Sequence, residues 1–268
     1  MVGTLAKLAG VPKAQAEEEL GTLRASMKAS PSEHGWAPDG RISAYVDEDP
    51  LVESSALARL IGVGGCDVSA RYKDAVLAGG FASLSAFSEH AFKTATDSFR
   101  NDDPPCIIGD AEARLAALER AGAEVVIISN SGAEKIARWF QSVGVDAGEG
   151  EGHRLRVRGA AMKWFLGETD DNIECGGRRI LIDRPRYREA IEAENPDLII
   201  GDVFSLDLAL PHVLRTRGMA QAPSILALRR HAHTPGWIAD DRAGGAIDHV
   251  VQGVGDLTAI VQAQLQSS

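Results

Sequence analysis

Cysteine is scarce in this chain: Cys66, Cys106 and Cys175 stand far apart, odd in number and with no CxxC pair. That scarcity excludes a disulfide framework and a four-ligand zinc site, and leaves three thiols that read as buried or neutral. Long apolar runs are missing as well. No stretch reaches the roughly 18 apolar residues that a membrane helix needs, and the first residues lack the basic, then apolar, then small-residue order of a secretory leader. The expectation is a soluble, cytoplasmic protein with no membrane partner. Positive charge is the third shortage, with 28 Lys and Arg against 38 Asp and Glu and a formal charge of -10. A field of that sign repels polyanions at long range, so no nucleic-acid partner is expected. A small anion held by a few local donors is compatible with it.

What is present points to an α/β protein. The 268 residues suffice for one large domain, or a medium domain with a smaller one attached. Residues 1–40 begin with LAKLAGVPKAQAEEELGTLRASM, which suits one or two short helices. Its start is faintly like a helix-turn-helix but acidic where a recognition helix needs Arg, Lys or Asn, so it reads as an N-terminal helical packing arm. ISAYV (42–46) reads as a strand running into DEDPLV. Residues 53–104 read as a helical insertion that leaves through NDDPP. From there strands and helices alternate: a helix over DAEARLAALERAGAE, the β-branched run VVIIS, a polar turn, a helix over AEKIARWFQSVGV, and strand-like RLRVRGAAMKWFLG. RRILID, a helix opened by Pro185, DLII, a helix after Gly201, and the closing strands PSILALRR and IDHVVQG before a last helix complete the pattern. Such alternation predicts βαβ units and a doubly wound, Rossmann-like parallel sheet.

In an open parallel sheet, ligands sit beyond the carboxyl ends of the strands. The residues in those places are Asp47 and Asp49 after ISAYV, Ser129 and Asn130 after VVII, Asp183 and Arg184 after RILI, and Asp202 and Asp207 after DLII. Crowded carboxylates repel unless a cation neutralises them, and hard oxygen donors suit Mg2+. A hydroxyl with free N–H groups at a helix start, together with a cation, suits a phosphate.

Asp47-Glu48-Asp49, Ser129-Asn130, a basic residue before a helix, and Gly201-Asp202 with Asp207 in a GDxxxxD spacing together resemble the four motifs of the haloacid dehalogenase superfamily. The resemblance runs over about residues 42–265. It implies an α/β core from residues 41–52 and 105–268, a small helical cap at 53–104 inserted after the first strand, and a Mg2+-dependent phosphatase or phosphotransferase acting on a small phosphorylated metabolite. By the same resemblance Asp47 would be the nucleophile that becomes an aspartyl-phosphate, and Asp49 the acid that protonates the leaving oxygen and then activates water. Ser129, with Asn130 nearby, would bind the transferring phosphoryl oxygens. Asp202 would bind the metal with a carboxylate oxygen of Asp47 and the carbonyl of Asp49, while Asp207 would orient the basic residue or a metal-bound water. Arg184, followed by Pro185 and a helix, is preferred as the basic residue, with Lys163 as the alternative.

The first motif departs from the family's usual Asp-x-Asp-Gly-Thr, since Pro50 and Leu51 fill the last two places. That departure keeps open a catalytically silent binding module; a carbon–halogen hydrolase of the same fold is a further alternative, against which the second acid Asp49 and the metal-binding Asp202 argue. Each residue also has a plain structural reading. VDEDP can be a solvated turn or helix cap, Ser129-Asn130 an N-cap pair, and Asp202 a cap after Gly201. His231-Ala232-His233 reads as a loop feature, and Trp139 and Trp164 as core residues.

Overall fold

Apolar residues at helical spacing organise the first part of the chain into α1 (Val2–Ala9), α2 (Lys13–Ala29), α3 (Glu53–Val63), α4 (Asp67–Ala78) and α5 (Leu84–Arg100). The two short strands β1 (Gly35–Trp36) and β2 (Ala44–Tyr45) lie between α2 and α3. The computed structural model describes residues 1–100 and 110–267. Cys106 and the expected exit of the helical insertion at 101–105 lie outside the described residues.

Residues 1–103 form one unit by their contacts. Leu5, Leu20, Met27, Leu57, Ile61, Tyr72 and Phe87 make its buried core, and each such side chain stabilises the fold by about 1.5–3 kcal/mol relative to exposure. The expected N-terminal arm is therefore half of a helical core. Its α2 is tied to α4 by Glu19, which accepts from the Tyr72 hydroxyl at 2.8 Å and pairs with Arg71. The hydrogen bond from Gln15 and those from Arg71 and Tyr72 outweigh the opposing effect of burial and hold the Glu19 carboxyl down at about 2.

ISAYV departs from expectation. Only Ala44 and Tyr45 are extended, and they pair antiparallel with Trp36 and Gly35 rather than with a parallel sheet. The partner lies within ten residues, so the pairing closes a short loop at small entropic cost. Gly35 permits the close fit, since a Cβ there would come within 2.2 Å of the Ala44 carbonyl oxygen. Residues 41–52, expected in the α/β core, consequently group with the helical unit.

The second unit, residues 104–268, is α/β. It runs α6 (Ala111–Arg120), β3 (Val126–Ile128), α7 (Ala133–Gln141), β4 (Ala147–Gly148), β5 (Leu155–Arg158), β6 (Asn172–Cys175), β7 (Arg178–Leu181), α8 (Pro185–Glu194) and β8 (Leu198–Gly201). It continues with a π-helical turn (Phe204–Leu208), α9 (Ala209–Thr216), β9 (Ile225–Arg229), α10 (Gly236–Ala239), α11 (Arg242–Gly245), β10 (His249–Val251) and α12 (Leu257–Ser267). Among the described residues the parallel strands pair as two sheets, in the orders β3-β5-β4 and β10-β9-β8. Ile128 of β3 and Ile199 of β8 pack against the same buried group of Tyr187, Ile191, Leu210 and Leu214.

RRILID is a strand but not a parallel one. It forms β7 of an antiparallel hairpin with β6, with Cys175 opposite Arg178. Gly176 and Gly177 turn the chain at φ 55° and 70°, the two positive dihedrals that a two-residue hairpin of matching twist demands. Trp139 and Trp164 are half-buried rather than in the core; the Trp139 ring lies 4.7 Å from the Lys135 ammonium. No helix among the described residues is long and apolar enough to cross a membrane.

Candidate functional site

The site grows from the carboxyl end of β8. Gly201 ends that strand, and a Cβ on it would lie 2.2 Å from the Asp207 Cβ. Glycine therefore lets the π-helical turn fold Asp207 back over the strand end. There one Asp207 oxygen, Oδ2, accepts from the backbone N–H groups of Asp202 and Val203, both at 3.1 Å. The other, Oδ1, accepts from the Lys163 ammonium at 2.8 Å. The Tyr187 hydroxyl donates to the Asp207 carbonyl at 2.8 Å, and the Lys163 ammonium lies 5.1 Å from the Tyr187 ring centre.

Both charges of this pair are withdrawn from water, with side-chain exposures of 14% for Lys163 and 11% for Asp207. Burial pulls the Lys163 pKa down, but the Asp207 charge and hydrogen bond overcome it and leave Lys163 above its ordinary value. Burial likewise pushes Asp207 up, and the ammonium with the two backbone donors brings it below the usual carboxylate range. Both groups stay charged through neutral pH. Tyr187, wholly buried, is held above its usual value chiefly by that burial.

Lys163 reaches Asp207 from a loop zipped to the end of β3. The Ala160 N–H donates to the Ser131 carbonyl and the Ala161 N–H to the Ser129 carbonyl, each at 2.9 Å. The Lys163 N–H donates to Asn130 Oδ1 at 2.7 Å. The loop holds two non-glycine residues at positive φ, Ala160 at 51° and Met162 at 44°, a conformation that concentrates at functional sites. Ser129 Oγ accepts from the Ser131 N–H at 3.2 Å, so the hydroxyl shapes the turn in which it sits.

The second unit thus brings Ser129, Asn130, Lys163, Asp202 and Asp207 into one connected group. Arg184 and Asp183 stand apart from it in role. Arg184 is wholly buried and donates to the Lys163 carbonyl, which braces the Lys163 segment from behind. Asp183 accepts from the Thr169 N–H and hydroxyl at 2.9 and 2.7 Å. Arg184, the residue preferred from the sequence, follows β7, which belongs to an antiparallel hairpin and not to the parallel sheet. Lys163 occupies the place against Asp207.

Asp47 and Asp49 belong to the helical unit. Asp49 Oδ1 accepts from the Leu51 N–H at 2.8 Å and its carbonyl accepts from the Val52 N–H at 3.1 Å. That is the work of an N-cap over Pro50–Val52. The Asp49 carbonyl, expected as a metal ligand, is occupied in the same way.

A hard cation has a narrow choice of donors here. Among the described residues no group of three or more His, Cys, Asp or Glu forms a metal-holding cluster. Asp207 is not a free ligand, since both its oxygens accept hydrogen bonds. Asp202 does fit: its side chain is 48% exposed, its Oδ2 contacts His231 Nε2 at 3.0 Å, and among the described residues its Oδ1 carries no hydrogen bond. One or two carboxylates with water complete the shell that Mg2+ prefers.

The sequence reads His231 as a loop feature. It follows β9, the strand paired in parallel with β8, and the strand-end rule that picked Asp202 picks it too. Comparison with protein-family models, with curated proteins and with solved structures finds no match to this chain.

Proposed function

We propose that the chain is a Mg2+-dependent phosphohydrolase of the haloacid dehalogenase type. On this reading its parallel strands belong to a doubly wound core, residues 53–104 act as a cap, and a small phosphorylated metabolite is the substrate. The observation that carries the proposal is the buried Lys163–Asp207 pair fixed directly behind Asp202. An ammonium neutralised on one side only, next to a half-exposed carboxylate at a strand end, suits a phosphoryl group better than a neutral ligand.

By the family resemblance Asp47 would attack phosphorus, the bond to the leaving oxygen would break, and Asp49 would give that oxygen its proton. Water then attacks the aspartyl-phosphate, with Asp49 taking its proton, and inorganic phosphate leaves. Ser129 and Asn130 line the phosphoryl position, and Lys163 balances its charge. Asp202 would hold Mg2+, whose charge would offset the repulsion between an anionic nucleophile and an anionic substrate.

The test is phosphate release from p-nitrophenyl phosphate with and without Mg2+. Metal-dependent turnover is expected, with Asp47→Asn and Asp202→Asn each lowering it by roughly ten-thousandfold while circular dichroism stays unchanged. Halide release from a haloacid without metal would instead identify a carbon–halogen hydrolase. A folded protein that neither turns over nor binds Mg2+ would overturn the proposal in favour of a silent binding module.

A further inference from the structure

The cluster of Arg229, His231 and His233 at the end of β9 is not used by the mechanism above. Gly201 of β8 lies opposite Leu228 of β9, so the next residues, Asp202 and Arg229, leave the two strands at the same level. His231 Nε2 lies 3.0 Å from Asp202 Oδ2 and 3.3 Å from Arg229 Nη1. A single ring nitrogen cannot donate to the carboxylate and accept from the guanidinium at once. The bond to the carboxylate is charge-assisted and the stronger. In either arrangement His231 offers Arg229 at most a neutral acceptor, not a counter-charge.

Among the described residues no carboxylate serves Arg229. Arg215, on the helix joining β8 and β9, and Arg217, just past that helix, each close on a carboxylate, Asp248 at 2.5 Å and Asp171 at 2.8 Å. Among the described residues Arg229 closes on none, although it is half-buried. Its surroundings are also held in place. The His233 ring stacks on that of His231 at 5.1 Å and 11°, and the His231 N–H donates to Thr234 Oγ1 at 2.8 Å.

We propose that Arg229 recognises an anionic group on the substrate other than the one transferred. The substrate is then a phosphorylated small acid with a second anion, carboxylate or phosphate, a few atoms from the first. A guanidinium presents a planar fork that matches either group. Lys163 does not compete for this role, because it is held against Asp207 and the mechanism assigns it to the transferred phosphoryl group. The proposal rests on the phosphohydrolase reading, and its test is chosen to separate the two.

Calorimetric binding of three non-hydrolysable probes to the full chain decides the matter: ethylphosphonate with one anionic group, phosphonoacetate with an added carboxylate, and methylenediphosphonate with a second phosphonate. At least one doubly anionic probe should bind about tenfold tighter than ethylphosphonate, and the preferred one names the second group. Arg229→Gln should erase that preference and leave ethylphosphonate affinity unchanged, while Arg229→Lys restores part of it. Equal binding of all three, a preference that survives Arg229→Gln, or no binding of any probe would overturn the proposal. An Arg229-dependent preference in a protein without phosphatase turnover would sink the phosphohydrolase reading alone. Turnover without the preference would sink only the subsite.

Discussion

Lys163 and Asp207 carry opposite charges into a place with little water, so each is tolerable only while the other is present. Lys163→Met leaves a buried carboxylate with two backbone donors and no counter-charge, and should lower unfolding stability by about 3–5 kcal/mol in urea titrations. Lys163→Met combined with Asp207→Leu should recover most of that loss; a double variant as unstable as the single one would show that the charges are not coupled. The pH dependence has a definite sign. Asp207 is depressed when folded, so its contribution is present above the unfolded value of about 3.9 and fades as pH falls further. Lys163 is raised when folded, so its share is full below about 10.4 and fades as pH rises through the folded value. Urea midpoints should therefore show the pair at constant strength between those limits. Gly201→Ala acts on the same pair, because its Cβ would displace Asp207. It should cost stability and weaken Mg2+ binding, measured by calorimetry. The residue scale is also where sequence reading was weakest. Asp49 in VDEDP has the composition of an acid catalyst and of a helix cap alike, and in this structure its carboxylate accepts from the Leu51 N–H.

At the scale of elements, periodicity carried most of the information. The β-branched run before Ser129 is β3, DLII is β8, and the helices opened by Glu53 and Pro185 are where apolar spacing puts them. Partners were less legible, since a strand's own residues do not say what it pairs with. ISAYV found a neighbour nearby, and RRIL found NIEC across two glycines. The second outcome had a signal in the sequence, because Gly-Gly between two short β-prone runs marks a hairpin. Gly177 has open space around it but a φ of 70°. Gly177→Ala should therefore cost about 1–2 kcal/mol from backbone conformation alone, and Gly177→Asn less, in thermal unfolding. Gly176→Ala should cost more than Gly177→Ala, since its Cβ would also meet the Trp237 ring at 2.5 Å.

At the scale of the molecule, no helix among the described residues is long and apolar enough to cross a membrane, while the division into units followed contacts that no local pattern announces. Residues 41–52 look like the opening of an α/β sheet, yet their burial is with α-helices. A net charge of -10 keeps molecules apart at neutral pH. As pH approaches the isoelectric value near 5.2, that repulsion vanishes and light scattering should report growing self-association, reversed by raising pH.

Trp237 has its indole edge-on to Phe204 at 5.8 Å and under the Arg178 guanidinium at 4.6 Å. Phe204 opens the turn that carries Asp207, so the indole reads that turn directly. The protein thereby has an intrinsic fluorophore in place, and emission from a variant retaining Trp237 alone would report ligand arrival at the strand ends with no added dye.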